Sequence, residues 1–479
     1  MTSPLQYTSI EDLPAIHARL HKTFKSGITR SLAWRKHQLV QLARMFQENQ
    51  EAIQRTLYLD LRKADQEVAL SEILGVVGGC LHAIEHLDEW AAPTHPPVEP
   101  HLKTWNATVY KTPKGVACLI SPWNYPWTLT FKPLTGAIAA GCAVVVKPSE
   151  ATAHSAALMA ELVPKYLDPN AYVVVNGAVP ETTALLNLRW DHIFYTGGVT
   201  VGRIIAAAAA KFVTPTTLEL GGKSPAYIGD DTDLDIAAKR LLHGKSQNAG
   251  QLCVSPDYTL VLRSVYPALL ESLTRAYAAF FPEGFWHPSA KWPKAVNARH
   301  ADRLLGLLRD TKGQVVLGGN HELSEEGTRI ELTIVGDVKP DDVLMQDEIF
   351  GPIHPLLIVD TLDDAINLIN SLPKPLVIYP FTNSEETKQR FLTETSSGSV
   401  TFNDTVSVLG TNALPFGGQG DSGYGSWHGV YTFNTFSHER VSLDAPLAEE
   451  KTYSARYRPY TQASLDAVQS LIARPLPQF

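Results

Sequence analysis

The chain has 479 residues, too many for one compact core, so its length predicts two or three domains. Hydrophobic residues make up 44% and charged residues 19% of the sequence, which is ordinary for a globular protein. The formal net charge of −8 gives no electrostatic reason to expect nucleic acid or an anionic membrane surface as a partner.

The cysteine spacing argues against a disulfide framework and against a metal site. The four cysteines, Cys80, Cys118, Cys142 and Cys253, lie far apart and never form a Cys-x-x-Cys pair. A reducing, cytoplasmic compartment is therefore expected. The first residues contain no basic segment followed by an apolar run, and residues 449–479 contain no apolar run of 18 residues. We expect neither a secretory signal nor a membrane anchor.

The first hundred residues predict a helical region followed by a connector. Apolar residues between positions 10 and 90 recur at helical spacing, as in Leu39, Leu42 and Phe46. Four prolines between positions 93 and 100 are too dense for a helix to continue. Residues 104–112 then read as an extended, exposed segment.

The next part of the chain alternates short apolar strands with amphipathic helices. Strands are predicted at 116–121, 143–147, 172–175 and 192–196, and helices at 134–140, 152–167, 181–188 and 202–212. Continuous apolar strands between helices indicate a parallel sheet that is covered on both faces. A second α/β run extends from 218 to about 403, with a helix at 363–369 and a strand at 377–381. The sequence therefore predicts two α/β domains in series.

Two polar turns after predicted strands could bind a nucleotide. The turn at Gly197 and Gly198 precedes a helix, and a helix N-terminus favours a pyrophosphate. It lacks the G-x-G-x-x-G pattern, so a plain glycine turn explains it equally well. Lys147 and Glu150 end another strand and could hold a ribose, although such a pair is more often only solvated.

Three further residues could carry chemistry. Cys253 follows a polar, glycine-containing turn, as an accessible nucleophile would, whereas the other three cysteines lie in apolar segments typical of buried thiols. Glu219 lies in an apolar, glycine-flanked turn and is either paired structurally or a general base with a raised pKa. Asn124, in a rigid turn between prolines, suits an oxyanion donor, with a turn cap as the simpler alternative.

Together these segments resemble the aldehyde dehydrogenase superfamily, and specifically its class 3 type, which includes fatty and aromatic aldehyde dehydrogenases. The resemblance runs from about residue 30 to 443, and Glu219 precedes Cys253 by 34 residues (253 − 219) as in the family. The shared motifs lie at 122–126, 147–150, 197–202, 219–223, 250–253 and 346–352, and the class 3 features at 403–404, 414–418, 425–429 and 436–438.

The resemblance implies a role for each matching residue. Cys253 is the expected nucleophile, Asn124 and the Cys253 backbone N–H are the expected oxyanion donors, and Glu219 is the expected activator of the hydrolytic water. The expected cofactor is NAD, with NADP also accepted. The expected cofactor-binding residues are Lys147 and Glu150 at the adenosine ribose, Gly198 and Gly202 at the pyrophosphate, and Glu348 and Phe350 at the nicotinamide ribose and ring.

The resemblance also implies the architecture and assembly of the chain. We expect an α/β fold with a Rossmann-like cofactor domain at 1–92 and 115–217 and an α/β catalytic domain at 218–412. A small β bridging element at 93–114 and 413–446 would support oligomerisation, with a C-terminal extension at 447–479. The exposed strand arm of that element would pair with a second subunit in a homodimer.

The predicted activity is NAD(P)-dependent oxidation of an apolar aldehyde, aliphatic or aromatic, to its acid through a thiohemiacetal and a thioester on Cys253. Gly198 stands where the family usually has serine, which removes a hydroxyl and loosens phosphate binding. The expected aldehyde entrance at 405–413 lacks the histidines common in class 3 and is more apolar. The missing apolar C-terminal tail separates the chain from the membrane-anchored fatty aldehyde enzymes.

Three alternatives remain open. A CoA-acylating aldehyde dehydrogenase would pass the acyl group to CoA, but thiolysis does not require the base Glu219. A non-catalytic binding or structural protein with this fold would not need Cys253, Glu219 and Asn124 intact. A cysteine hydrolase would need a histidine partner, and the nearest in sequence, His243, lies in no catalytic motif.

Overall fold

The computed structural model describes residues 5–473 and 476–478, which form two compact units. One unit comprises Met1–Trp90 with Pro113–Ser437, and the other comprises Ala91–Thr112 with His438–Phe479.

Sixteen α-helices occur in the described residues. They are α1 (Leu13–Ser26), α2 (Leu32–Glu48), α3 (Gln50–Leu61), α4 (Asp65–Val68), α5 (Gly75–Ala91), α6 (Thr128–Ala140), α7 (Ala153–Tyr166), α8 (Val179–Leu186), α9 (Val199–Ala210), α10 (Leu234–Ser246), α11 (Tyr266–Phe280), α12 (Ala298–Asp310), α13 (Leu362–Ser371), α14 (Glu385–Glu394), α15 (Gly429–Thr435) and α16 (Gln462–Ile472). A π-helical segment, Ala69–Leu74, joins α4 to α5.

The strands of the described residues fall into two large sheets and two hairpin-sized ones. They are β1 (Thr108–Pro113), β2 (Val116–Ile120), β3 (Ala143–Lys147), β4 (Tyr172–Val174), β5 (His192–Thr196), β6 (Thr216–Glu219), β7 (Pro225–Ile228), β8 (Tyr258–Leu262), β9 (Gln314–Leu317), β10 (His321–Ser324), β11 (Gly327–Ile330), β12 (Thr333–Gly336), β13 (Ile353–Val359), β14 (Val377–Phe381), β15 (Ser399–Val400), β16 (Gly423–Tyr424) and β17 (Ser437–Ser442).

The first large sheet has the strand order β16-β6-β5-β2-β3-β4. All its strand pairs are parallel except β16 with β6, and every residue of β2, β3 and β5 is buried. Helices α1 and α9 contribute to the apolar cluster that contains the buried strand residues, and α6 packs on β2 and β3. The α/β fold with a covered parallel sheet is therefore confirmed.

The second large sheet has the strand order β15-β14-β7-β8-β13-β12-β9 and includes only residues after 224. It is parallel except for β9, which runs antiparallel to β12. Its apolar cluster includes Leu260, Ile353 and Ile378, all fully buried. The two sheets therefore correspond to the two predicted α/β halves, which share one compact unit.

The second unit is built on the pairing of β1 with β17. Trp105 contacts Tyr453 in it through an indole-to-hydroxyl hydrogen bond of 2.8 Å. Its boundaries differ from the predicted bridging element of 93–114 and 413–446, because residues 413–437 belong to the larger unit, where β16 pairs with β6. Most of the predicted 447–479 extension lies in the second unit, while residues 474, 475 and 479 lie outside the described residues.

Helices α6, α8 and α9 begin earlier than predicted, and the difference is largest for α6. The sequence predicts a helix from 134 because Pro133 precedes it, but α6 begins at Thr128 and contains Pro133. The start of α6 is stabilised by Glu72, whose Oε2 accepts hydrogen bonds from the backbone N–H groups of Trp127 (3.1 Å) and Thr128 (3.0 Å). A carboxylate at a helix N-terminus satisfies free donors and complements the helix dipole.

Glu72 also forms a fully buried ion pair. Its Oε1 lies 2.6 Å from the Nζ of Lys63, and both side chains are 0% exposed. The helical run that contains it, Asp65–Ala91, is long and apolar enough by length and composition to cross a membrane, with a mean hydropathy of 1.5 and a third of its most apolar window buried. In this fold the run carries the Glu72 carboxylate of the ion pair and packs buried residues such as Val76 and Cys80 into the protein.

We predict that Lys63→Met lowers the free energy of unfolding by about 3–5 kcal/mol, because it leaves the carboxylate of Glu72 buried without its cation. Urea denaturation of the purified variant measures this loss. Lys36→Met is the matched control, since it breaks the exposed Lys36–Asp88 pair and should cost less than about 1 kcal/mol. Equal losses of unfolding free energy in the two variants would contradict the proposed contribution of the buried pair to stability.

Candidate active site

The predicted site residues meet at one edge of the six-stranded sheet. The strand order changes direction between β2 and β5, since β3 and β4 continue to one side and β5 and β6 to the other. Ligands of open α/β sheets bind outside the carboxyl ends of the strands at such a switch point. Asn124 follows β2, Gly197 follows β5 and Glu219 ends β6 at this edge.

A cavity of about 480 Å³ opens beside this edge. Cys253 and Glu219 both line it, so the structure brings together two residues that are 34 positions apart. Most of the remaining wall is apolar, with Leu70, Leu129 and Leu252 among its residues. The thiol and the carboxyl group therefore share one predominantly apolar chamber.

An unusual turn holds Cys253 in the cavity wall. Asn248, Ala249 and Gly250 have φ values of 47°, 52° and 72°, a run of left-handed residues that is sparsely populated in proteins. A Cβ at Gly250 would lie 2.2 Å from the carbonyl oxygen of Gly351, so only glycine fits there. Cys253 is half-buried, whereas the other three cysteines are fully buried as predicted.

The environment keeps the Cys253 thiol protonated at neutral pH. Burial raises its pKa, and the nearby carboxyl groups of Glu348 and Glu219 raise the pKa further. Because the thiolate is the nucleophilic form, Cys253 must lose its proton during attack on a substrate. A base or a change in local charge has to accompany its reaction.

Glu219 is a buried carboxyl group without a structural partner. Its side chain is 3% exposed, and neither carboxyl oxygen has a hydrogen-bond partner among residues 5–473 and 476–478. Burial raises its pKa well above the usual value, and the neighbouring Trp427 indole offsets a part of this shift. No cation pairs with Glu219 among the described residues, which argues against the structural pair, and the general-base role stays a prediction.

Asn124 is fixed against the turn that precedes Cys253. It is 2% exposed, and its Nδ2 donates to the carbonyl oxygen of Gln251 at 3.1 Å. The backbone carbonyl oxygen of Asn124 accepts hydrogen bonds from Lys63 Nζ at 2.8 Å and from Asn248 Nδ2 at 2.9 Å. The Asn124 side-chain amide thus bonds to the turn before Cys253 and does not cap the turn that contains Asn124. Its second N–H remains available for an oxyanion. That role stays a prediction.

The glycines after β5 differ in their surroundings. A Cβ at Gly197 would lie 2.2 Å from Tyr195 Oη, whereas Gly198 has open space and precedes α9 with no side-chain cap. The first N–H groups of α9 are therefore available to an anion. Gly202 is buried, and a Cβ there would lie 2.7 Å from Leu220 Cδ2, so glycine allows close packing on Leu220, and its place at the pyrophosphate stays a prediction.

The other predicted cofactor residues lie at the ends of strands, since Lys147 ends β3, Glu150 follows it, and Glu348 and Phe350 precede β13. Lys147 Nζ donates to Glu150 Oε2 at 3.1 Å, so these two form a half-buried pair and not a solvated one. Burial, with Asp257 nearby, raises the pKa of Glu348 to about 8. The Phe350 ring lies 5.3 Å from that of Trp123. An uncapped helix N-terminus, a half-buried cation–carboxylate pair and a poorly compensated carboxyl group together fit a dinucleotide.

Comparisons with known proteins agree with this geometry. The family model described as aldehyde dehydrogenase family matches residues 5–441. The chain belongs to the aldehyde dehydrogenase family. It is 43% identical over 451 residues to aldehyde dehydrogenase family 3 member A2 of Pongo abelii, covering 94% of this chain and 91% of that one.

Two further comparisons support the class 3 type and the fold. The chain is 44% identical over 446 residues to the dimeric NADP-preferring aldehyde dehydrogenase of Rattus norvegicus, covering 92% of this chain and 96% of that one. A substrate-bound structure of Staphylococcus aureus AldH superposes with a TM-score of 0.92 at 34% identity, covering 96% and 99% of the two chains. The predicted class 3 type and an NAD(P)-dependent oxidoreductase acting on aldehydes are confirmed.

The sequence interpretation missed three residues in the wall of this aldehyde dehydrogenase cavity. Lys132, Trp427 and His428 line it together with Cys253 and Glu219. The only available signal for Trp427 and His428 was their place in the class 3 motif at 425–429. Lys132 stands in an apolar helix, and the sequence shows it only as an interruption of the apolar run.

We predict that Glu219→Gln raises the free energy of unfolding, by an amount that grows with pH. In the unfolded chain Glu219 ionises near its ordinary pKa of 4.5, but in the folded enzyme its pKa is raised. The wild type therefore loses stability as the pH rises from about 4.5 to the folded pKa, and the amide variant does not. Urea denaturation of both proteins at pH 5 and pH 8 measures the difference, and a gap that shrinks with pH would contradict the assigned shift.

Proposed function

We propose that this enzyme oxidises an aldehyde with an apolar chain, aliphatic or aromatic, to its carboxylic acid, with NAD preferred and NADP accepted. The observation that carries the proposal is the placement of the Cys253 thiol and the partnerless Glu219 carboxyl in one apolar cavity. This cavity lies beside the sheet edge at which the dinucleotide-binding features are found.

Cys253 begins the reaction by attacking the aldehyde carbon. The thiol proton passes to solvent water as the carbon–sulfur bond forms, and the carbonyl oxygen becomes the oxyanion of a thiohemiacetal. The free N–H of Asn124 and the backbone N–H of Cys253 stabilise that charge. Bound NAD(P) supplies the acceptor for the hydride that leaves the former aldehyde carbon. Cys253 then carries the acyl group as a thioester.

Glu219 completes the reaction by activating water. A carboxyl group with a raised pKa accepts a proton near neutral pH better than an ordinary glutamate does. The water oxygen attacks the thioester carbon, and the Glu219 carboxylate takes the water proton. The carbon–sulfur bond then breaks to release the acid and the Cys253 thiolate, and the proton on Glu219 returns to this thiolate to restore the resting enzyme. The aldehyde is thereby oxidised by two electrons and gains the water oxygen.

Residues from three parts of the chain would hold the cofactor. The Glu150 carboxylate would accept hydrogen bonds from the hydroxyls of the adenosine ribose, and Lys147 would support it through their 3.1 Å contact. The uncapped N-terminus of α9 after Gly198 would bind the pyrophosphate. Glu348 and Phe350 would contact the nicotinamide ribose and ring.

The apolar wall supports the proposed class of aldehyde. Leu70 and Leu74 belong to the π-helical segment, and Leu129 to α6. The loop at 405–413, expected at the entrance, contributes Val406 and Leu409 to the same cavity. Apolar side chains of this kind favour a hydrocarbon chain by removing its surface from water.

The structure gives little support to the alternatives. A cysteine hydrolase would need a basic histidine, but His243 is exposed and bonds to Gln247, while burial lowers the pKa of His428 in the cavity to about 2. A CoA-acylating enzyme would not need the buried Glu219. A non-catalytic protein would not need to retain a costly buried carboxyl group without a partner.

We further propose that the enzyme is a cytoplasmic homodimer. All four cysteines are free thiols, as a reducing compartment favours. Strand β17 pairs with β1 on one side, and five of its six residues are exposed. Such an open strand edge can pair with a second copy of the chain.

In Glu219→Gln we expect a burst of NADH of up to one equivalent per active site, followed by slow turnover, because the thioester forms but hydrolyses poorly. Stopped-flow absorbance with a medium-chain alkanal and mass spectrometry of the quenched enzyme measure the two effects. Cys253→Ala is the control and should produce no NADH while it still binds the cofactor. If Glu219→Gln shows neither a burst nor an acyl adduct, Glu219 acts before hydride transfer, for example on the Cys253 thiol.

For the cofactor we expect NAD to be preferred about ten- to a hundredfold in kcat/KM, the effect of one charge contact of roughly 1–3 kcal/mol. The Glu150 carboxylate would repel a 2′-phosphate, and the Lys147 contact would offset only a part of that repulsion. Glu150→Gln should narrow the preference mainly through a better value for NADP. A wild-type preference for NADP, or an unchanged ratio in the variant, would show that Glu150 does not face the ribose.

A further inference from the structure

A lysine without a carboxylate partner lies in the aldehyde cavity. Lys132, on α6, lines the same cavity as Cys253 and Glu219. Its Nζ lies 3.3 Å from Nε2 of His428 and 5.5 Å from the centre of the Trp427 ring. In the described part of the chain no aspartate or glutamate forms an ion pair with it. Burial lowers its pKa to about 8, and no negative group compensates.

The histidine that accepts a hydrogen bond from Lys132 cannot neutralise it. Burial lowers the pKa of His428 to about 2, so this imidazole is neutral throughout the working range of pH. An ammonium group only donates hydrogen bonds, and His428 Nε2 is therefore the acceptor. One of the three ammonium N–H groups is occupied in this way, which leaves two donors for a group inside the cavity.

Lys132 lies on the side of the cavity away from Cys253. It also lines a neighbouring pocket together with Gly79, Trp90 and His428, and neither Cys253 nor Glu219 is among the residues that line that pocket. The side chain of Lys132 instead lies near Gly75, on the helical run that supplies Leu70 and Leu74 to the wall. A substrate with its aldehyde carbon at Cys253 would therefore pass along apolar residues before it reaches the ammonium group.

We propose that Lys132 binds a carboxylate at the far end of the aldehyde, so that the preferred substrate is an oxo acid with a hydrocarbon chain between its two polar ends. The inference rests on the proposed function and specifies its substrate class. A buried cation is costly unless it is paired, and a substrate carboxylate would supply both the missing charge and the missing acceptor. A simple alkanal supplies neither of them.

The test compares kcat/KM for straight-chain ω-oxo acids, their methyl esters and n-alkanals of equal carbon number over a range of lengths. We expect the wild type to prefer the acid at one range of lengths and to treat the ester like the alkanal. In Lys132→Met the acid-to-alkanal ratio should fall about ten- to a hundredfold, mainly through KM, the effect of one charge-assisted hydrogen bond. Lys211→Met, which removes an exposed lysine outside the site, should keep the wild-type ratio.

A second variant and a pH series distinguish a loss of substrate selectivity from a loss of folding. Lys132→Gln should reproduce the lost selectivity, and Lys132→Met should melt at or above the wild-type temperature because it removes an unpaired buried charge. In the wild type the acid-to-alkanal ratio should fall as the pH rises through about 8, where Lys132 loses its proton. The other titratable groups of the cavity wall, Tyr125, Glu219, Cys253 and His428, act on both substrates, and their effects cancel in the ratio.

The outcomes separate this inference from the proposed function. If no aldehyde yields NADH, the proposed function fails. If alkanals are oxidised but no acid of any length is preferred, or if both Lys132 variants lose acid and alkanal activity equally, only the inference about Lys132 is overturned. An imine between Lys132 and the aldehyde, trapped with borohydride and found by mass spectrometry, would also overturn it, because the lysine would then bind the reacting carbon.

Discussion

The buried ion pair between Lys63 and Glu72 is the interaction on which the rest of the active site depends. Two charges without solvent exposure are tolerated only when hydrogen bonds satisfy their remaining donors and acceptors. Glu72 meets this condition by accepting the first backbone N–H groups of α6, and Lys63 meets it by donating to the carbonyl oxygen of Asn124. The pair thus fixes both the start of α6 and the turn that carries the expected oxyanion donor.

The same network reaches the nucleophile through Asn248. Its side-chain amide donates to the carbonyl oxygens of Asn124 and Gln251, and its backbone N–H donates to Glu67. These contacts hold Asn248 and Ala249 in left-handed conformations that cost free energy in isolation. The strained turn is therefore maintained by buried polar contacts, and it presents Cys253 at the cavity wall in a fixed position.

Inside the cavity, low polarity shifts every titratable group that we have described toward its neutral form. Burial raises the pKa of Cys253 and Glu219, and it lowers the pKa of Lys132 and His428. These groups lack the partners that would restore the charged forms, so a ligand can supply them. An apolar chamber with uncompensated acid and base groups is suited to proton transfer at one end and to recognition of charge at the other.

The sequence by itself determined the local elements and the candidate nucleophile. Apolar strands between amphipathic helices encode a covered parallel sheet, and the polar turn before Cys253 distinguished it from three cysteines that are buried. The tertiary structure alone decided which groups meet, because such contacts join distant parts of the chain. Lys132 and His428 are 296 positions apart, and β16 joins the first sheet from residue 423. No local periodicity records these pairings, nor the packing of Gly202 on Leu220, because they arise only when long-range contacts close the fold.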